Sequence, residues 1–299
     1  MEKLRYDSFL GGEKEFIMSV RIIADSASDV SQELAKEWNI TILPLTVRFG
    51  EEEYYDGVTL SNDGFYEKLI ETDEFPKTSQ IAPFRYEEAF CQAKEAGDEV
   101  VCLALSSALS GSYQSACIAA EEFEDTVHVV DTQEVCVGYF ILVAEAVRLR
   151  NRGKSAAEIA EALRKLVPKV HVIAVFDTLE YLKKGGRISG AAATVGSMLS
   201  IKPVISIVDG AVAVLGKARG SKNGNNMLRE YVKQAGGINW DYPVCLAYSG
   251  LSDVLLQKYI ADSSELYAGH EDQFRITHVG ATIGTYAGAG AIALAFFES

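Results

Sequence analysis

The stretch Glu99–Ser115, EVVCLALSSALSGSYQS, constrains the fold more than any other part of the chain. Val100, Val101, Leu103 and Leu105 mark a strand buried on both faces, and such strands belong to parallel sheets covered by helices. The apolar residues stop at Ser106. Ser107, Ser110, Gly111 and Ser112 follow before helix formers resume at Gln114. A hydroxyl-rich turn therefore stands where a strand gives way to a helix. The unpaired N–H groups and partial positive charge of a helix N-terminus suit such a turn to a carboxylate or a phosphate.

The same pattern recurs through the first half. VRIIA at Val20–Ala24 predicts a buried strand, and Asp25-Ser26-Ala27-Ser28-Asp29 a turn into a helix containing Gln32–Trp38. A second strand is expected over Ile40–Phe49, an acidic hairpin or loop over Gly50–Gly57, and a helix from the Ser61-Asn62-Asp63 cap to Ile70. After the polar Pro76–Gln80 come a helix over 84–96, the opening strand with its helix to about Phe123, and a strand over Val127–Val130. This β-α-β-α rhythm predicts a three-layer α/β/α domain with a mainly parallel sheet, which binds ligands at the carboxyl ends of its strands. Ser26/Ser28, Thr78/Ser79 and Ser106/Ser107 each fall at a strand-to-helix junction, and their convergence points to an anion site built from neutral hydroxyls and backbone amides.

Helices over 138–150 and 155–166 lead to Pro168, where the pattern changes. Beyond it the sequence predicts a strand over Val170–Phe176, a short helix over Leu179–Lys184 and a small-residue helix over Gly190–Ser200. An Asp209-Gly210 turn then joins strands 203–208 and 211–215. Helix 222–234, strand Val244–Tyr248, helix 252–261, strand Ile276–Ile283 and helix 288–297 complete the chain. The expected fold is α/β in two domains: residues 18–167, carrying the hydroxyl-rich site, and residues 168–299, an α/β domain with a mixed sheet. Residues 1–17 are expected to be a disordered extension or to follow from an upstream start.

Charge and apolar content narrow the function. A net charge of −14 argues against nucleic acid as a partner, which would repel the chain at long range. Apolar segments are broken well short of the roughly 18 residues that cross a membrane, so no integral membrane segment is expected. Five cysteines without a CxxC pair, set in apolar stretches, fit buried thiols in a reducing cytoplasm. Against the acidic whole, Lys183–Lys222 holds seven basic residues and a single acid, Asp209.

Several familiar chemistries fail on spacing. Gly210–Lys217 is one residue too long for a phosphate loop and Ala218 replaces the metal-binding hydroxyl. Gly288-Ala289-Gly290 resembles a dinucleotide fingerprint, but only nine residues remain, so close packing of a helix on a sheet is the better reading. His128, His171, His270 and His278 show no metal-ligand spacing, and neither a metal nor a cofactor is expected. Ser107, His128 and Asp131 supply the residue types of a serine hydrolase, without a GxSxG elbow.

Six motifs in order, covering nearly everything after Met18, carry a resemblance to the DegV family. They are Asp25-Ser26-Ala27-Ser28-Asp29, Lys77-Thr78-Ser79-Gln80, Leu105–Gly111, Leu182–Ser189, Ile201-Lys202-Pro203 and Gly216–Gly220. The resemblance implies a two-domain α/β protein that binds a long-chain fatty acid in a cleft between the domains, its carboxylate held by a threonine and a serine. It also implies a lipid-carrying subunit that presents the acid to a separate fatty acid kinase. By position, Thr78 matches the threonine and Ser107 the serine, with Ser106 beside it. Tyr286, in Gly284-Thr285-Tyr286, stands where the family has a histidine facing the head group; its phenol can donate a hydrogen bond but is not cationic near neutral pH. Ile81-Ala82 and Ala108 also depart from the family pattern. The ligand-binding residues expected are Ser26, Thr78, Ser79, Ser106, Ser107 and Tyr286. Arg187, Lys217 and Arg219 are expected to dock the kinase or its nucleotide. A serine esterase using Ser107 and a lipid-dependent sensor or scaffold stay open as alternatives.

Overall fold

Four apolar segments of the first half build one parallel sheet, as the opening stretch requires. The computed structural model describes residues 19–123, 126–188 and 201–299. Over the first half the elements are β1 (Val20–Asp25), α1 (Gln32–Trp38), β2 (Thr41–Leu43), β3 (Thr46–Phe49), β4 (Glu52–Tyr55), α2 (Asn62–Glu71), β5 (Lys77–Ser79), α3 (Pro83–Ala96), β6 (Glu99–Ala104), α4 (Ser112–Ala120), β7 (Val127–Asp131), α5 (Cys136–Asn151) and α6 (Ala156–Leu166). Strand order is β2-β1-β6-β7, all parallel, with α3 and α4 packed together on the sheet and α5 and α6 forming a second pair.

The expected strand over Ile40–Phe49 is two strands in different sheets. Pro44 has no N–H to continue a ladder, so β2 ends in the parallel sheet and the chain turns at Leu45. Strand β3 then joins a separate antiparallel sheet of order β4-β3-β5. Thr78 and Ser79 thus lie on a small second sheet, so the three hydroxyl clusters do not share one sheet edge.

The second half contains β8 (Val170–Val175), α7 (Glu180–Lys184), β9 (Ile201–Val208), β10 (Ala211–Arg219), α8 (Ser221–Gln234), β11 (Val244–Tyr248), α9 (Val254–Asp262), α10 (Ser264–Tyr267), β12 (Phe274–His278), α11 (Ala281–Ala287) and β13 (Ile292–Phe297). Its sheet has the order β10-β9-β8-β13-β11-β12, antiparallel except for β11 beside β12. The expected hairpin is present, with Asp209 at φ 50° and Gly210 at φ 77° as a two-residue turn of this kind demands. The chain end differs. Residues expected as strand 276–283 and helix 288–297 are strand β12, helix α11 and the interior strand β13. Ile292-Ala-Leu-Ala-Phe-Phe suits a helix by propensity, but an interior strand covered on both faces is also a continuous apolar run, and packing decides. Gly288 and Gly290, at φ 67° and 83°, turn the chain between α11 and β13, so the Gly-Ala-Gly run is a connection and not a helix start. The helix expected over Gly190–Ser200, and the extension 1–17, lie outside the described residues.

Helix α5 joins the halves. It is buried nearly all round because it packs against β1 of the parallel sheet and against β8, β11 and β13 of the mixed one. A single apolar core therefore runs from Ile22 through α5 to Phe297. Pro168, the expected boundary, sits in the 3-10 turn Val167–Lys169 between α6 and β8.

Candidate functional site

Around the start of α5 lies a cavity of about 260 Å³. Its wall draws on both halves: Leu105, Leu109 and Val137 from the first, and Val172, Ile205, Ile283 and Ala293 from the second. Nearly all of it is aliphatic, with Phe176 the aromatic contribution besides Tyr286. Polar groups gather where Thr78, Gln80, Ser110, Arg187 and Tyr286 line the cavity.

Each of these side chains is placed by its element. Thr78 Oγ1 and Tyr286 Oη lie 2.6 Å apart, joining β5 to α11 across the two halves. The Arg187 guanidinium stands 4.9 Å above the Tyr286 ring, donating to the carbonyls of Gly185 at 2.7 Å and Leu109 at 3.3 Å. Gly185 is a glycine for a local reason, since a Cβ there would strike the Tyr286 ring. Ser110 Oγ accepts from the Ser112 N–H at 3.2 Å and lies 3.1 Å from the Ser112 hydroxyl, at the start of α4. A cation, a phenol and two hydroxyls thus bound one end of an apolar chamber, an arrangement suited to an anionic head on a long apolar chain.

Of the expected ligand-binding residues, Thr78 and Tyr286 line the cavity and the other four do not. Ser107 is exposed on the outer side of its turn, where its hydroxyl donates to Asp131 Oδ2 at 2.5 Å and its N–H to Oδ1 at 3.2 Å. Ser106 is fully buried and donates to the Gly210 carbonyl at 2.6 Å, tying the β9–β10 hairpin tip to the first half. Ser26 Oγ accepts from the Leu45 N–H at 3.0 Å and holds the bend after Pro44. Ser79 pairs with Thr46 in the β3–β5 ladder and is exposed. The serine that reaches the cavity is Ser110. Leu109 and Ser110 both send their N–H groups back to the Ser106 carbonyl, a helix-like turn that swings Ser107 outward and Ser110 inward. That periodicity, with Leu105 and Leu109 four apart on the cavity side, was available in the sequence.

Arg187, expected to dock a partner, lies over Tyr286 and lines the cavity. The rest of the basic stretch is partly neutralised by acids just outside it: Lys184 pairs with Glu180 at 2.8 Å, and Lys202 with Asp177. Lys217 and Arg219 are exposed on β10, flanking buried Ala218, and among the described residues neither enters a salt bridge.

The residues of a serine hydrolase do not assemble. His128 on β7 pairs with Val101 on β6 and stands three residues before Asp131, so it faces the opposite side of the sheet about 10 Å along the strand. Among the described residues no three His, Cys, Asp or Glu side chains cluster as metal ligands, and no helix is long and apolar enough to cross a membrane.

Comparison with known proteins agrees with the fold. A family model described as "Uncharacterised protein, DegV family" matches residues 19–299. A DegV domain-containing protein of Caldanaerobacter subterraneus subsp. tengcongensis is 33% identical over 280 residues, 93% of this chain and 98% of its own. A DegV family protein from Thermus thermophilus, whose structure is described as fatty acid binding, superimposes with a TM-score of 0.84 at 31% identity, over 94% of this chain and 100% of the other. The Streptococcus pneumoniae fatty acid kinase B3 protein, solved loaded with linoleic acid, gives a TM-score of 0.80 at 25% identity, over 94% and 100% of the two chains.

Proposed function

The chain belongs to the DegV family, and from that premise we propose that it holds a long-chain fatty acid in the cavity and carries it to a separate fatty acid kinase. The observation that carries this reading is the chamber itself, aliphatic along its length and closed at one end by Thr78, Ser110, Tyr286 and Arg187. The fatty acids bound by the Thermus and Streptococcus proteins support it.

The energetics fit. Burying about 15 methylenes at about 0.8 kcal/mol each supplies on the order of 12 kcal/mol before association costs. The tail thus supplies affinity, while the head must be satisfied, because a buried unpaired carboxylate would cancel much of the gain. Thr78 and Ser110 hydroxyls donate to the carboxylate, Tyr286 supports Thr78, and Arg187 provides the opposite charge. Lys217 and Arg219 on exposed β10 are the residues proposed to dock the kinase. The chain itself carries the acid without transforming it, and five unbridged cysteines suit a cytoplasmic site of action.

Lipid extraction and native mass spectrometry of the purified protein test the reading. One fatty acid per chain is expected; protein that is lipid-free and also fails to bind added palmitate or oleate overturns it. With a partner kinase in hand, acyl-phosphate formation is expected to fall when Lys217 and Arg219 are changed to Ala, at unchanged fatty-acid affinity.

A further inference from the structure

The segment that carries Tyr286 into the cavity is held from the first half by an unusual device. Asp56 Oδ1 accepts from the Ala281 N–H at 3.0 Å and Oδ2 from the Thr282 N–H at 3.1 Å, while Asp29 Oδ1 accepts from the Gly280 N–H at 2.8 Å. Two side-chain carboxyl groups thus cap the amino end of α11, both 6% exposed or less. Both crowd Gly280, where a Cβ would lie 3.0 Å from Asp29 Oδ1 and 3.2 Å from Asp56 Oδ1, so a side chain there would push against both carboxyl groups. A serine or threonine cap would satisfy one of these N–H groups without burying an acidic group, which is costly.

What two carboxyl groups add is orientation. Bonds to three successive N–H groups fix both the position of α11 and its rotation about its own axis. At about 100° and 1.5 Å per residue, Tyr286 lies only about 40° round and about 6 Å along from Thr282, so the cap sets where the phenol points. At the carboxyl end, glycines turn the chain and Tyr286–Thr78 is the polar tie to the first half.

We propose that Asp29 and Asp56 are positioning residues for the lipid head group: by capping α11 they set Tyr286 against Thr78, and recognition of the carboxylate depends on them although neither lines the cavity. This rests on the fatty-acid reading above.

The test compares palmitate with hexadecanol, which shares the tail and lacks the charge, on Asp56→Asn, Asp29→Ala, Tyr286→Phe and the Asp56→Asn/Tyr286→Phe double variant. Asp56→Asn is expected to weaken palmitate about tenfold and hexadecanol less than about threefold, and to cost nothing further in the Tyr286→Phe background. Equal losses for both ligands, or additive losses in the double variant, overturn the positioning role in favour of a purely structural cap. If Asp56→Asn does not fold, Asp29→Ala, which removes the acceptor of the Gly280 N–H and so one bond of the three, carries the same comparison: a loss confined to palmitate supports the positioning role and equal losses overturn it. Wild-type protein that binds neither ligand overturns the fatty-acid reading, and this inference with it.

Discussion

At the scale of single residues, the polar end of the cavity separates affinity from placement. The Thr78–Tyr286 contact at 2.6 Å leaves Thr78 able to accept from the phenol and donate to a carboxylate. Thr78→Val keeps the shape and removes that donor, and is expected to weaken palmitate about tenfold, near the 1–1.5 kcal/mol of one hydrogen bond. Arg187→Met leaves a buried carboxylate without its cation and is expected to cost more, on the order of 30-fold. Ser107→Ala, with its exposed hydroxyl on Asp131, is expected to change affinity less than about twofold. Titration of the three variants by tryptophan fluorescence or calorimetry checks the order; a Ser107→Ala loss as large as that of Thr78→Val would return the head group to the outer turn. The sequence marks the hydroxyl-rich turn but not which of its serines lines the cavity, because composition marks a hydroxyl cluster while only the i→i+4 path of the backbone decides which hydroxyl faces inward.

Secondary-structure elements were legible in proportion to how far their own residues decide them. The strand at Glu99–Ala104, its helix and the Asp-Gly hairpin follow from local patterning. Strand β13 does not, since Ala, Leu and Phe fit either element and a sheet formed by distant segments settles the choice. The split between β2 and β3 was visible at Pro44, but the second sheet it opens was not. Nor was the position of Arg187, which depends on α7 meeting α11 about 100 residues later in the chain. The hairpin tip is a test at this scale. Gly210 sits at φ 77° and a Cβ there would come within 2.6 Å of Ser106 Oγ, the group that anchors the tip. Gly210→Ala therefore strains the turn and disturbs the anchor together, and is expected to cost about 2–3 kcal/mol in a denaturant titration. Ser106→Ala, which removes only the hydroxyl, is expected to cost about 1–2 kcal/mol. A Gly210→Ala protein as stable as wild type would mean that the hairpin tip is not docked in solution.

For the molecule as a whole, two halves share one core through α5, and the contact between them is unusual in concentrating buried acid. Asp25, Asp29 and Asp56 are all buried near that junction, and burial is the main reason that Asp25 is pushed up to about 7, Asp29 to about 8, and Asp56 also upward. Repulsion adds to this, since Asp56 raises Asp25, and Asp56 and Asp25 together raise Asp29. For an acid whose folded value lies above its unfolded one, the native state binds the extra proton between the two. Stability is then fully present below the unfolded value, 3.8, and falls as pH rises towards about 7–8. The exposed carboxylates held below their usual range, such as Glu52 and Glu158, act in the opposite sense but are screened by solvent, so the buried acids, this trio together with Glu134 and Glu145, which burial also raises, set the trend above pH 5. The melting temperature is therefore expected to be roughly 5–10 °C higher at pH 5.5 than at pH 8.5. Asp29→Asn removes the group with the higher of the two values and is expected to flatten that slope, whatever it does to the melting temperature at pH 5.5. Scanning calorimetry of both proteins across the range decides it: an unchanged slope in Asp29→Asn would assign the titration to other groups, and a wild-type slope of the opposite sign would mean that these carboxylates are charged in the native state throughout.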